Sequence, residues 1–330
     1  MVNTKINQKI VTIGGGSGSF MVLTGLKKYP VDLSAIVSMA DDGGSSGILR
    51  REFGVLPPGD ARQCLVALAE ADKILKELFA YRYDNGGLKG HVFGNLFLST
   101  LEKVSGGFDL AVKQAGSILK IKGRVLPVTL QSAQLVAELK NGKKIIGESK
   151  IYGQAVGLID LKKLYLKPAA VLNAEAKEAL KRADKIVICP GDLCSSLIAN
   201  FLVKGLSQAI ARAKAKVIYV SNLITKPGHT DGFTLADYIK TLEKYLGRGA
   251  IGYVVYNKER PAEKFLKKYL RPGENLVAAG DLSRLSKIKF LGYNLLSHQF
   301  YKATKGDVLG GFRSLVRHDS DKLAKVIYDL

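Results

Sequence analysis

Five short apolar runs, each ending in glycine and polar residues, constrain this chain more than any other feature. KIVTI (9–13) runs into Gly14-Gly15-Gly16-Ser17-Gly18, and Leu33 to Val37 leads to Asp41-Asp42-Gly43-Gly44-Ser45-Ser46-Gly47. KIVICP (185–190) reaches Pro190-Gly191-Asp192, KVIYVSN (216–222) precedes the segment Leu223 to Thr230, and GYVVYN (252–257) ends at Asn257. Stretches with helical periodicity lie between these runs. Strands alternating with helices specify a Rossmann-like α/β fold with a doubly wound, mostly parallel sheet. In such sheets ligands sit beyond the C-terminal ends of the strands. Every polar cluster falls at an expected strand end, so the clusters are expected to share one site.

The first loop follows a strand and precedes a helix expected from about Ser19 to Lys28. In that order, backbone N–H groups and the positive end of the helix face an anion. Gly14, Gly16 and Ser19 satisfy the dinucleotide spacing only in part, because a glycine or alanine belongs at the third position. The loop reads as a general phosphate cradle built from Gly14, Gly15, Gly16, Ser17 and Gly18. The second loop joins Asp41, Asp42 and Gly43 to Arg50, Arg51 and the stiff turn Pro57-Pro58-Gly59. Asp60 is placed to cap a helix from Ala61 to about Tyr81. Carboxylates, arginines and a helix cap in one loop suit a charged, hydroxyl-rich ligand.

His91 and Asn95 stand four residues apart, which puts them on one face if both are helical. His91 reads either as a capping or core histidine, or as a neutral donor aimed at the pocket. A helix is expected over Leu96 to Val104. Between about 123 and 166 the apolar period changes to two, and LVAEL, the turn Lys140-Asn141-Gly142-Lys143 and KIIGES read as a hairpin. This is a small antiparallel insertion within a single domain spanning 1–330. Beyond KIVICP, Gly191, Asp192 and the helix carrying Asn200 extend the candidate site, and Asn222 and Thr225 form its rim. Ser195 and Ser196 lack the nucleophile-elbow context. Asp41, Asp42, Asp60, Asp192 and His91 could hold a Mg²⁺ through water and phosphate. Taken singly, each aspartate suits ordinary turn or cap chemistry.

The 330 residues are 47% apolar and 24% charged, a globular balance with enough chain for a sizeable core. No apolar stretch is long enough to cross a bilayer, so membrane insertion is not expected. The N-terminus runs straight into a strand without signal-peptide architecture. Cys64, Cys189 and Cys194 form neither a metal motif nor a disulfide framework, which fits a reducing cytoplasm. A net charge of +21 permits phosphorylated ligands. The lysines are dispersed and no nucleic-acid module is recognisable, which argues against nucleic acid as the partner.

Longer motifs carry a family resemblance. GGGSG (14–18), DDGGSSGILR (41–50), PPGDARQCL (57–65), GHVFGNL (90–96), GES (147–149), LNAEAKEALKRADKIVICPGDL (172–193), NLITKPGHTDGFTLADY (222–238) and VRHD (316–319) occur in order along the chain. Together they resemble the gluconeogenesis factor (YvcK-type) proteins, one branch of the CofD-like superfamily. The resemblance implies binding of nucleotide sugars of the UDP-N-acetylglucosamine kind and a role in cell shape and growth on gluconeogenic carbon. It leaves open whether the protein forms a homodimer. The other branch, 2-phospho-L-lactate transferase, implies an alternative: a Mg²⁺-dependent transferase using a nucleotide-diphospho donor. Tyr269 and Arg317 lie in stretches similar to those where the family places ligand contacts. An arginine fork suits a phosphate, and an aromatic ring suits a base. Asp192, Cys194, Lys226 and His229 depart from the family pattern and alter the charge expected around the pocket.

Overall fold

In the computed structural model the described residues are 8–154, 157–158, 160–261, 263, 266, 270, 272–297 and 316–330. The expected strands form and pair in parallel. β1 (Gln8–Gly14) lies between β2 (Val31–Val37) and β7 (Lys185–Ile188). β3 (Arg124–Pro127) extends the sheet beyond β2. β8 (Lys216–Val220), β9 (Tyr253–Asn257) and β10 (Lys289–Tyr293) extend it beyond β7. The resulting order is β10-β9-β8-β7-β1-β2-β3. The central strands are apolar because helices cover both faces. Ile10, Ile13, Leu33, Ile186 and Ile188 are at most 0% exposed, and each such side chain contributes about 1.5–3 kcal/mol by leaving water.

Helices α1 (Gly16–Leu26), α2 (Gly44–Phe53), α3 (Gly59–Leu68), α4 (Lys73–Ala80), α5 (Phe93–Ser105) and α6 (Phe108–Ile118) occupy the first half. A small antiparallel sheet of order β5-β4-β6 follows, from β4 (Gln134–Leu139), β5 (Lys144–Ile146) and β6 (Leu161–Lys167). Helix α7 (Glu148–Gly153) is inserted between β5 and β6. Beyond it come α8 (Ala174–Arg182), a wide π-type helix Leu193–Ile198 leading into α9 (Ala199–Phe201), α10 (Leu206–Arg212) and α11 (Leu235–Leu246). A last helix, Ser320–Asp329, packs on α1, where a side chain on Gly25 would come within 2.0 Å of the Ser320 carbonyl. No helix among the described residues is long and apolar enough to cross a membrane.

Several boundaries differ from the sequence reading. Arg124–Pro127 belongs to the large sheet and not to the insertion, because its register with Ser34–Val37 is parallel. The glycine-serine loop after Asp42 is helical from Gly44, and Gly54 closes that helix in the left-handed region at φ 65°. The helix expected to run from Ala61 to Tyr81 is two helices, α3 and α4, separated by residues 69–72. KIIGES is a strand only as far as Ile146. Gly147, at φ 108°, turns the chain so that Glu148 starts α7.

Candidate functional site

The strand order reverses at β1: the chain moves outward through β2 and β3, then returns to the other side of β1 as β7. At this switch point the loops after β1 and β7 open a crevice. Its walls enclose a cleft of about 660 Å³. Gly15, Gly16, Ser17 and Gly18 form one lip, and Pro190, Gly191 and Asp192 form the other. The lips touch: a side chain on Gly18 would come within 1.7 Å of the Pro190 carbonyl oxygen. Gly16 adopts φ 62°, a left-handed conformation that favours glycine. Gly15 precedes α1 without any side-chain cap. The first-turn N–H groups of an α-helix have no partner within the helix, so those of α1 supply donors for an anion at the cleft.

Asp60 does not cap α3. Pro58 is the capping residue, and Asp60 lies in the first turn. Its carboxylate passes under the glycine loop, where Gly16 N–H donates to Asp60 Oδ1 at 2.8 Å. Burial, reinforced by the charge of Asp41, raises its pKa to about 7. Asp41 accepts from Gly43 N–H at 3.0 Å, and burial raises its pKa, with Asp42 adding to the effect. Gly59 separates these two carboxylates, since a side chain there would come within 2.7 Å of Asp41 Oδ2. Asp42 accepts from the Ser149 N–H at 2.8 Å and so fixes the start of α7. Asp192 caps the π-type helix, accepting from the Ser195 N–H and Oγ, both at 2.9 Å.

Asn222 is a brace for the second lip. Its Nδ2 donates to the Gly191 carbonyl at 2.8 Å, and its Oδ1 accepts from Gly191 N–H at 3.3 Å. Thr225 is 3% exposed, and its Oγ1 accepts from Asn275 N–H at 3.1 Å. Both residues, like Arg317, line the cleft. Tyr269 lies outside the described residues.

Gly14, Asp41, Asp42, Gly43, Gly59 and Asp60 lie behind the lips and do not themselves line the cleft, and three more expected site residues lie elsewhere. His91 precedes α5, so it does not share a helix face with Asn95, and its Nδ1 lies 3.3 Å from Ser45 Oγ. Asn95 is 3% exposed and accepts from Arg62 Nε at 2.9 Å, a buried pairing within the helical layer. Asn200 is fully buried, with Nδ2 donating to the Ser196 carbonyl at 2.7 Å. None of the three lines the cleft. Arg50 is likewise drawn away, donating to the Ala133 carbonyl at 2.6 Å.

The cleft also holds residues that sequence reasoning left out of the site. Glu148 lines it, and burial together with Asp41 raises its pKa well above the ordinary carboxylate range, while Ser195 hydrogen-bonds to it. Tyr152, one turn on, carries Lys226 Nζ 3.2 Å above its ring centre, and its carbonyl lies 3.0 Å from His229 Nε2. Lys226 and His229, noted as departures from the family pattern, thus both meet Tyr152 of α7, Lys226 from the cleft and His229 from the buried side. The signal for Glu148 was present: GES stood among the quoted motifs, but reading it as strand hid the turn at Gly147.

The acidic residues are individually engaged. Asp41, Asp42, Asp60 and Asp192 each accept from a chain donor, and His91 stands by Ser45. Among the described residues, no group of three His, Cys, Asp or Glu is arranged to hold a metal ion. What the site offers is a cradle of backbone donors and an arginine, with carboxyl groups of raised pKa under and beside it. A carboxyl group whose pKa is raised in this way keeps its proton to higher pH, and in that form it can donate as well as accept hydrogen bonds.

The comparisons with known proteins agree with this architecture. A sequence model described as 2-phospho-L-lactate transferase CofD matches residues 10–300. The protein named gluconeogenesis factor in Bacillus subtilis is 36% identical over 326 residues, covering 98% of both chains. A Thermotoga maritima relative is 40% identical over 320 residues, 97% of this chain and 98% of its own. A crystal structure of a UPF0052-family protein from Bacillus halodurans superposes with a TM-score of 0.88 at 33% identity, covering 98% of this chain and 99% of that one. This chain therefore belongs to the CofD-like family, alongside the proteins named gluconeogenesis factor.

Proposed function

We propose that the switch-point cleft binds a nucleotide sugar of the UDP-N-acetylglucosamine class, and that the protein acts as a regulatory binding protein in the cytoplasm. The observation that carries this reading is the meeting of the Gly15–Gly18 and Pro190–Asp192 loops across the reversal of strand order. In this reading the first turn of α1 holds the diphosphate and Arg317 forks onto it. Glu148, Asp192 and the α7 wall receive hydroxyl groups of the sugar. A cleft of about 660 Å³ falls within the usual span for small-molecule sites. The names of the relatives support a role in growth on gluconeogenic carbon, and the proposal extends that role to cell shape. Calorimetry with UDP-N-acetylglucosamine, UDP, GDP and NAD tests the reading. Saturable binding of the UDP compounds is expected, and no binding of any of the four at millimolar concentration sinks it.

A second reading, a transferase acting on a nucleotide-diphospho donor, draws on the family description and on Glu148. A buried carboxyl group whose pKa is raised is suited to general-acid work beside a leaving group. Incubation with deazaflavin and a guanosine-diphospho phospholactate donor, with Mg²⁺ supplied, decides it. Absence of product removes this reading.

A further inference from the structure

We propose that Asp60 is a positioning residue for the phosphate cradle, holding the glycine loop from beneath and taking up a proton when an anionic ligand enters above. The inference rests on the nucleotide-sugar reading for the identity of the anion, and on the geometry below for everything else.

The loop that should receive the anion already has one of its donors in use. Gly16 N–H, the first of α1, donates to Asp60 Oδ1 at 2.8 Å. The other carboxylate oxygen lies against Gly15, where a side chain would come within 2.0 Å of Asp60 Oδ2. Asp60 therefore spans the two residues on which the cradle turns, and it fixes the left-handed Gly16 from below. It does so with a negative charge at the one place where the ligand also brings negative charge.

The groups facing Asp60 act on that charge in opposite directions, and burial outweighs them. Helix α1 carries no titratable side chain from Gly16 to Leu26. On its own helix, the Cys64 thiol is pushed above its ordinary range by burial and by Asp60 itself. Asp41 stands across Gly59 and opposes ionisation of Asp60, while Arg62 favours it. Arg62 Nε donates to Asn95 Oδ1 at 2.9 Å and Nη1 to the Phe79 carbonyl at 3.5 Å. The pKa of about 7 follows from this arrangement. A diphosphate arriving over the loop adds like charge and raises the pKa further. The protonated carboxyl keeps a carbonyl oxygen for Gly16 N–H, so the loop stays held while the repulsion is removed.

The test uses the whole chain and Asp60→Asn, which preserves the size and the acceptor but not the charge. UDP-N-acetylglucosamine is the probe, because its two substituted phosphates stay ionised throughout the range. Wild-type affinity should fall by up to about tenfold per pH unit above about pH 7, the slope of one linked proton. Asp60→Asn should bind with little pH dependence and more tightly than wild type at about pH 8. Calorimetry of the wild type in buffers of different ionisation enthalpy should show proton uptake on binding. Equal pH slopes in the two proteins, weaker binding by a folded Asp60→Asn at high pH, or no proton uptake overturns the inference. If the wild type binds no UDP compound at any pH, the nucleotide-sugar reading fails, and melting temperatures of the ligand-free proteins decide the role of Asp60. A gap in favour of Asp60→Asn that widens from about pH 5 to 8 supports the buried charge, and a constant gap overturns it.

Discussion

Replacing Gly18 by alanine probes the seam on which the site depends. Gly18 lies in the first turn of α1, where alanine ordinarily stabilises a helix by about 1 kcal/mol. Here the new Cβ would come within 1.7 Å of the Pro190 carbonyl oxygen and 2.7 Å of its carbon. The obstacle is main chain, so no side chain can rotate away. The next residue of the lip, Gly191, is also braced by Asn222 on both its N–H and its carbonyl. Overpacking costs about 1–3 kcal/mol, and a braced carbonyl puts this site at or beyond the upper end. Set against the helix gain, the net loss is about 2 kcal/mol. For 330 residues at about 2.1 cal/mol/K each, that lowers Tm by about 3 °C. Urea unfolding and calorimetry read the stability, and UDP-N-acetylglucosamine binding reads the cradle, which should weaken as the lips part. Gly87→Ala, in an exposed turn outside the cleft with open space around the new methyl group, is the control and should change little. If Gly18→Ala is stabilised by about 1 kcal/mol, as an unobstructed helical glycine would be, the two lips are not in contact and the cleft is wrongly drawn.

Arg317→Lys keeps the charge but loses the fork. It should weaken nucleotide-sugar binding by about 1–3 kcal/mol with the fold intact, and unchanged affinity in calorimetry removes Arg317 from the site. Asp60 affects stability with a definite sign: its folded pKa of about 7 lies above the ordinary 3.8, so the unfolded carboxyl ionises first and stability is lost as pH rises between the two. At about 1.36 kcal/mol per unit the loss is at most about 4 kcal/mol, and about 2 once partial exposure screens the charge. Urea unfolding across that range should show this loss in the wild type and not in Asp60→Asn. Asp319 caps the last helix by accepting from the Asp321 and Lys322 N–H groups, both at 3.0 Å. Asp319→Ala should cost about 1 kcal/mol in chemical denaturation.

The parallel sheet was legible because its strands are continuous apolar runs that stop at glycine. The same punctuation located the Gly14–Gly18 and Pro190–Asp192 loops, and proximity followed from the alternation of strands and helices. What periodicity could not show was the direction of single side chains. Asp60 looked like a cap because it follows Pro57-Pro58-Gly59, yet the glycine loop 44 residues earlier competes for its carboxylate. Asn95 and Asn200 looked like site residues for their chemistry, and each serves a buried donor or acceptor nearby. Arg124–Pro127 was read into the insertion because four residues show too little pattern to reveal a partner 90 positions away, as Ser34 is to Arg124. Glu148 was hidden by a strand-like run that a single left-handed glycine ends.

A structure of the protein crystallised with UDP-N-acetylglucosamine tests the central claim most directly. The diphosphate is expected over the first turn of α1, within hydrogen-bond distance of the Ser17 or Gly18 N–H, with Arg317 at the phosphates and the sugar against Glu148 and the α7 wall. Ligand density away from the switch point, for example in the smaller cleft of about 340 Å³ beside Lys322 and Lys325, would contradict it.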